Sequence, residues 1–119
     1  MNFDFTEDQE QLRDAVRKWV DKAYTFERRQ TIEKSGGFSQ DACNEIAELG
    51  LGGLYISEAD GGLGMGPVEG MVVMEELGRG LVNAPYAQAA LVAPHVLSQA
   101  PAALQAQWLP RMAGGEALV

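Results

Sequence analysis

Apolar residues recur along this chain at the spacing of helix faces, and no region is strand-rich. From residue 7 to about 28, Leu12, Ala15, Val16, Trp19, Val20 and Ala23 form one stripe, which predicts an amphipathic helix with a buried face. Thr6 and Gln9 make a capping-box pattern ahead of it, and Glu7, Asp8 and Glu10 set negative charge at the positive end of the dipole. Phe3 and Phe5 precede the cap as an apolar anchor able to pack back. Ser35-Gly36-Gly37 interrupts the chain; Ser39 then caps a second helix, Gln40 to Leu49, with Ala42, Ile46 and Leu49 inward and Gly50 as its left-handed end. Leu51 to Ile56 is apolar with two glycines and reads as coil.

The stretch from Ser57 to Arg79 organises the rest. Four glycines between Gly61 and Gly66 predict an irregular crossing. Pro67 then opens a helix over 67–78, with Val68, Met71, Val72 and Leu77 on one face. Gly78 and Gly80 break the chain. The next helix, about Pro85 to Gln99, is apolar around most of its circumference, which implies cover on several sides, and Pro94 should kink or divide it. Pro101 opens a last helix with Leu104, Trp108, Leu109 and Met112 as its stripe; Gly114-Gly115 ends it, and Glu116 to Val119 looks like the start of a strand. The predicted architecture is a single all-α domain over residues 1–119, a bundle of about five helices.

Composition narrows the function classes. With 46% hydrophobic and 22% charged residues, the chain is expected to fold. A formal net charge of −8 disfavours nucleic acid, since the only dense basic cluster is Arg28-Arg29 with Lys34 nearby. One cysteine, Cys43, excludes an internal disulfide and a cysteine-built metal cage. The first residues lack the order of a secretion signal and no apolar run approaches a membrane span, so a soluble, cytoplasmic protein is expected.

No catalytic group identifies itself. Gly62-Leu63-Gly64-Met65-Gly66 lacks the strand, the spacing and the lysine of a phosphate loop, so a tight crossing is the better reading. Glu75 and Glu76 point about 100° apart on a helix and cannot flank one bond. Arg79 is spaced to pair with either. His95, the sole histidine, has no nucleophile motif beside it, which leaves a small hydrolase without support, and no convergent ligands suggest a metal. Cys43 reads as a small half-buried thiol. Val82, Asn83, Tyr86 and Ala90 share a face if their helix begins early.

In order, four motifs resemble the N-terminal helical domain of an acyl-CoA dehydrogenase: Phe5-Thr6-Glu7-Asp8-Gln9 with Leu12-Arg13 and Trp19; Glu48-Leu49-Gly50-Leu51 with Gly53-Leu54 and Gly61-Gly62-Leu63-Gly64; Glu75-Glu76-Leu77-Gly78-Arg79; and Gln107 through Glu116. Together they cover nearly the whole chain. The resemblance implies a parent in which a β domain and a C-terminal helical domain follow this one. Such an enzyme oxidises the Cα–Cβ bond of an acyl-CoA thioester, with a carboxylate of the last domain taking the α-proton and FAD taking the β-hydride. The flavin is held mainly by the domains that follow, so this chain alone is expected to be inactive. The first domain walls the acyl pocket and excludes water. Anchored on Pro94, the family's acyl-facing positions fall on Val82, Asn83, Tyr86 and Ala90, where a large Tyr86 departs from the pattern, as does Ser57 where proline is common. The resemblance further implies a homo- or hetero-oligomer and an electron-accepting flavoprotein partner. The wording is most similar to a subgroup acting on pimeloyl-like or other bulky CoA esters, whose members can pair as unlike subunits. The alternative is a free-standing helical interaction module that kept the fold without the chemistry.

Overall fold

A computed structural model describes residues 3–117. Its order is α1 (Glu7–Ala23), α2 (Phe26–Lys34), α3 (Gln40–Glu48), α4 (Pro67–Arg79), wide helical turns over Ala87–Val92 that run into α5 (Ala93–Leu97), and α6 (Ala102–Ala113). Short 3₁₀ turns at Leu51–Gly53 and Glu58–Asp60 lie in the crossing, and the described residues contain no strand. The all-α expectation holds. Leu118 and Val119, half of the expected strand start, lie outside the described residues.

Local chemistry sets most helix starts. Thr6 Oγ1 accepts from Gln9 N while Gln9 Oε1 accepts from Thr6 N at 2.9 Å, closing the capping box. Ser39 caps α3 through Ala42 N, and Gly50 takes the left-handed conformation at its end with φ 84°. The first helix is shorter than its apolar stripe suggested. It stops at Ala23, and Thr25 caps a separate α2 by accepting from Arg28 N at 3.2 Å. The break turns Arg28 toward α3, where its guanidinium meets Glu45 at 2.9 and 2.5 Å and Trp19 Nε1 donates to the same carboxylate at 3.1 Å.

α1 and α4 form the spine. Gln9 reaches Glu69, Arg17 reaches Glu76 and Asp21 reaches Arg79, so the two helices run parallel. Val16 and Val20 pack with Val73 and Leu77, each burial contributing roughly 1.5–3 kcal/mol. The helices approach closely at Gly80, where a Cβ would collide with Val20 Cγ1. The inner face of α4 is therefore Gly70, Val72, Val73, Glu76 and Leu77. Val68 and Met71, expected inside with Val72 and Leu77, are exposed. Leu49, Leu104 and Phe3 also lie outside, at 39%, 43% and 84% exposure, because α3 and α6 have cover on one side only and Phe3 precedes the first packed turn. The molecule is a slab of 43 × 41 × 18 Å. A slab that thin leaves the outer faces of its helices without a neighbour.

Candidate functional site

The segment 82–97 holds the four residues singled out above, and it is irregular for a reason. Pro94 has no N–H, and in ordinary α-register its ring would press on the carbonyl of Ala90. The chain instead widens over Ala87–Val92, with Ala93 N donating to Gln88 O five residues back, and α5 starts beyond the widened turns. This is the division expected from Pro94. The helix begins at Tyr86, not earlier, so Val82 and Asn83 precede it and do not share its face.

Two of the four come together. Tyr86 and Ala90 are buried at 5% and 3% exposure, and the Tyr86 hydroxyl donates to Leu51 O at 2.9 Å. Burial pushes the phenol pKa up, so the hydroxyl stays a donor. Both residues line a groove of about 50 Å³ between α3 and the widened helix, closed by Met112 and Gly115 at the end of α6. Val82 does not line the groove but packs against the core cluster that contains Tyr86 and Ala90 and against the cluster of Tyr24, Ile32 and Ala42, and the exposed Asn83 donates from Nδ2 to Gly37 O at 2.8 Å while its N–H donates to Tyr24 Oη at 3.2 Å. Gln40, Cys43 and Asn44 of α3 complete the groove. They were missed because no local signal links position 43 to position 86. Burial raises the Cys43 pKa, which keeps it a thiol and not a nucleophile.

A second, wider cleft of about 230 Å³ opens between the start of α4 and α5, lined by Tyr55, Met65, Gly66, Pro67, Pro94, His95 and Ser98. Ser98 Oγ donates to His95 O at 2.6 Å, so serine and imidazole are not arranged as nucleophile and base. Glu76 is the one buried carboxylate among the described residues, and it is committed elsewhere. Its Oε1 accepts from Arg17 Nη2 at 2.6 Å and its Oε2 from Arg79 Nε at 2.8 Å, which holds its pKa below the usual range, Arg17 being the larger cause. Arg79 thus pairs with Glu76, the second of the two partners its spacing allowed. Glu75 is exposed. The geometry offers walls and a groove, with no acid–base pair facing either cavity.

Residues 6–116 match the family model described as acyl-CoA dehydrogenase, N-terminal domain. The chain is 30% identical over 114 residues to a (2S)-methylsuccinyl-CoA dehydrogenase of Cereibacter sphaeroides, covering 94% of this chain and 21% of that protein. It is 31% identical over 75 residues to the caffeyl-CoA reductase-Etf complex subunit CarC of Acetobacterium woodii, covering 63% of this chain and 20% of that protein. The chain therefore spans about a fifth of the length of these relatives. Its fold is similar to that of a chain in the ChsE4-ChsE5 complex from Mycobacterium tuberculosis, with TM-score 0.78 and 23% identity over 98% of this chain and 30% of the other. The family match spans residues 6–116, nearly the whole chain, and the described residues fold as helices: the chain belongs to the acyl-CoA dehydrogenase family, as its N-terminal helical domain.

Proposed function

We propose that this chain is the pocket wall of a flavin-dependent acyl-CoA dehydrogenase and carries no reacting group of its own. One observation above all supports the reading: the slab leaves apolar surface bare. On α4, Val68, Met71 and Met74 are 45%, 51% and 38% exposed, and Val92 and Val96 beyond it are 58% and 63% exposed. Bare apolar surface on this scale marks a face that another body covers. In this reading the cover is the β and C-terminal helical domains of the parent. Tyr86 and Ala90, which line the groove, are the proposed acyl-facing floor; Val82 and Asn83, expected beside them, do not line it. The names of both relatives specify CoA thioesters, which supports that substrate class. An electron-accepting flavoprotein and an oligomeric parent belong to the same reading.

The residues described here do not fit a flavin by themselves. The wider of the two cavities described above, about 230 Å³, falls below the roughly 300–1,000 Å³ of small-molecule sites. FAD would be held by the parent's other domains, where it accepts the hydride. This chain's contribution is steric and dielectric: it shapes the acyl end of the pocket and keeps water from the reacting thioester. The bare surface also suits a free-standing interaction module, and the gene separates the two. Sequencing past the codon for Val119 is expected to show an open frame that continues into a β domain. An immediate natural stop codon would favour the module and contradict the parentage.

A further inference from the structure

One helical segment, 86–97, packs against two separate apolar clusters. Tyr86 and Ala90 belong to the larger core, with Val16, Leu51, Leu54 and Leu77. Ala93 and Leu97 pack on the second, that of Ile56, Leu109, Met112 and Ala113. In an unbroken α-helix each residue advances about 100°, so Tyr86, Ala90, Ala93 and Leu97 would fall within about 60° of arc, on one face. The widened turns separate them. Ala93 N donates to Gln88 O five residues back, which takes more residues per turn than α-register does. The chain therefore rotates less between Tyr86 and Ala93, and the two pairs end on different faces.

The widening is not written in the residues that carry it. Ala87-Gln88-Ala89-Ala90-Leu91-Val92 is rich in strong α-helix formers, and such wide turns are rare without a cause. Pro94, itself buried, supplies one, since it has no N–H and its ring bars α-register at Ala90. Beyond the proline the chain is fastened to α6, where Gln105 Nε2 donates to Ser98 O at 3.1 Å and to Ala100 O at 2.7 Å. On the groove side the helix is fastened by the Tyr86 hydroxyl on Leu51 O. Two bonds against one make the Tyr86 end the freer to turn.

We propose that Pro94 is a positioning residue for the acyl floor: by imposing the widened turns it swivels the first half of the helix, so that Tyr86 and Ala90 face the groove while Ala93 and Leu97 stay on the α6 cluster. The acyl role of the groove rests on the pocket-wall reading above; the swivel itself does not.

The swivel is tested by nuclear magnetic resonance on the isotope-labelled chain. In the native sequence the Ala93 amide nitrogen should show a through-hydrogen-bond coupling to the Gln88 carbonyl carbon. In Pro94→Ala the coupling should move to the Ala89 carbonyl, and the Tyr86 ring should lose its Overhauser contacts with Leu51 while Leu97 keeps those with the α6 cluster. Deleting the exposed Val92 in the Pro94→Ala background places Ala93 about 120° round from Tyr86 in α-register, which should restore the Tyr86 contacts. Loss of stability alone would not be repaired by removing a residue. Where Pro94→Ala fails to fold, the deletion variant decides. The proposal is overturned by a native chain without the Gln88 coupling, by a Pro94→Ala chain that keeps it, by Leu97 moving in place of Tyr86, or by a deletion variant that does not fold with the Tyr86 contacts restored. In the parent enzyme Pro94→Ala should shift relative kcat/KM across acyl lengths by roughly threefold or more, and the deletion should reverse the shift. A shift in Tyr86→Ala without one in Pro94→Ala overturns the positioning role. If neither variant shifts the preference while the chain behaves as expected, the acyl role of the groove falls and the swivel stands.

Discussion

At Glu76 a single buried carboxylate accepts hydrogen bonds from two arginines on different helices. The arginines are half exposed and water can replace part of what they lose, so Glu76→Gln is expected to cost about 1–2 kcal/mol, below the usual toll for breaking a fully buried pair. The pH dependence has a definite sign. The Glu76 pKa is held below its unfolded value, so its contribution is complete above that value, about 4.3, and disappears as pH falls through the lower folded one. Thermal unfolding should show Glu76→Gln less stable at pH 7 and less sensitive to acid below about pH 4.3; parallel curves would refute the assignment. At Tyr86 the test needs the parent enzyme. Tyr86→Ala should change relative kcat/KM across acyl lengths more than it changes flavin content, while Tyr86→Phe, which keeps the ring, should change the preference little. An unchanged preference in Tyr86→Ala would discard the pocket-floor role.

Elements show where the sequence was legible. Starts written in adjacent residues were readable: Thr6 with Gln9, Ser39 with Ala42, Pro67 at the head of α4. The break at Tyr24 was not, because the apolar stripe of α1 gives no sign of stopping there and α2 buries only Ile32. Nor was the inner face of α4, since a hydrophobic pattern cannot say which of two apolar sides meets a neighbour in a molecule that later turns out to be one slab thick. The same ambiguity hid the groove: Tyr86 and Ala90 were marked, but their companions Cys43 and Met112 come from helices far away in sequence. Gly80 was read as a chain breaker, yet its φ is −88° and what it supplies is room for Val20. Gly80→Ala should therefore destabilise by about 1–3 kcal/mol through overpacking between α1 and α4, read by urea unfolding. Gly78→Ala, with nothing near its Cβ, should be neutral or stabilising. Equal effects would contradict the close approach.

For the whole molecule, shape and surface carry the account. A slab 18 Å thick with exposed valines and methionines leaves those faces bare, which supports the proposed covering by other domains, and neither of the two cavities described above faces an acid–base pair. The central claim is that the reacting groups lie on polypeptide outside these helices. The most direct measurement is made on the purified chain: its visible absorption spectrum after loading with FAD, and its turnover of acyl-CoA with an artificial electron acceptor. The account predicts no bound flavin band and no turnover; a yellow protein that oxidises acyl-CoA would contradict it.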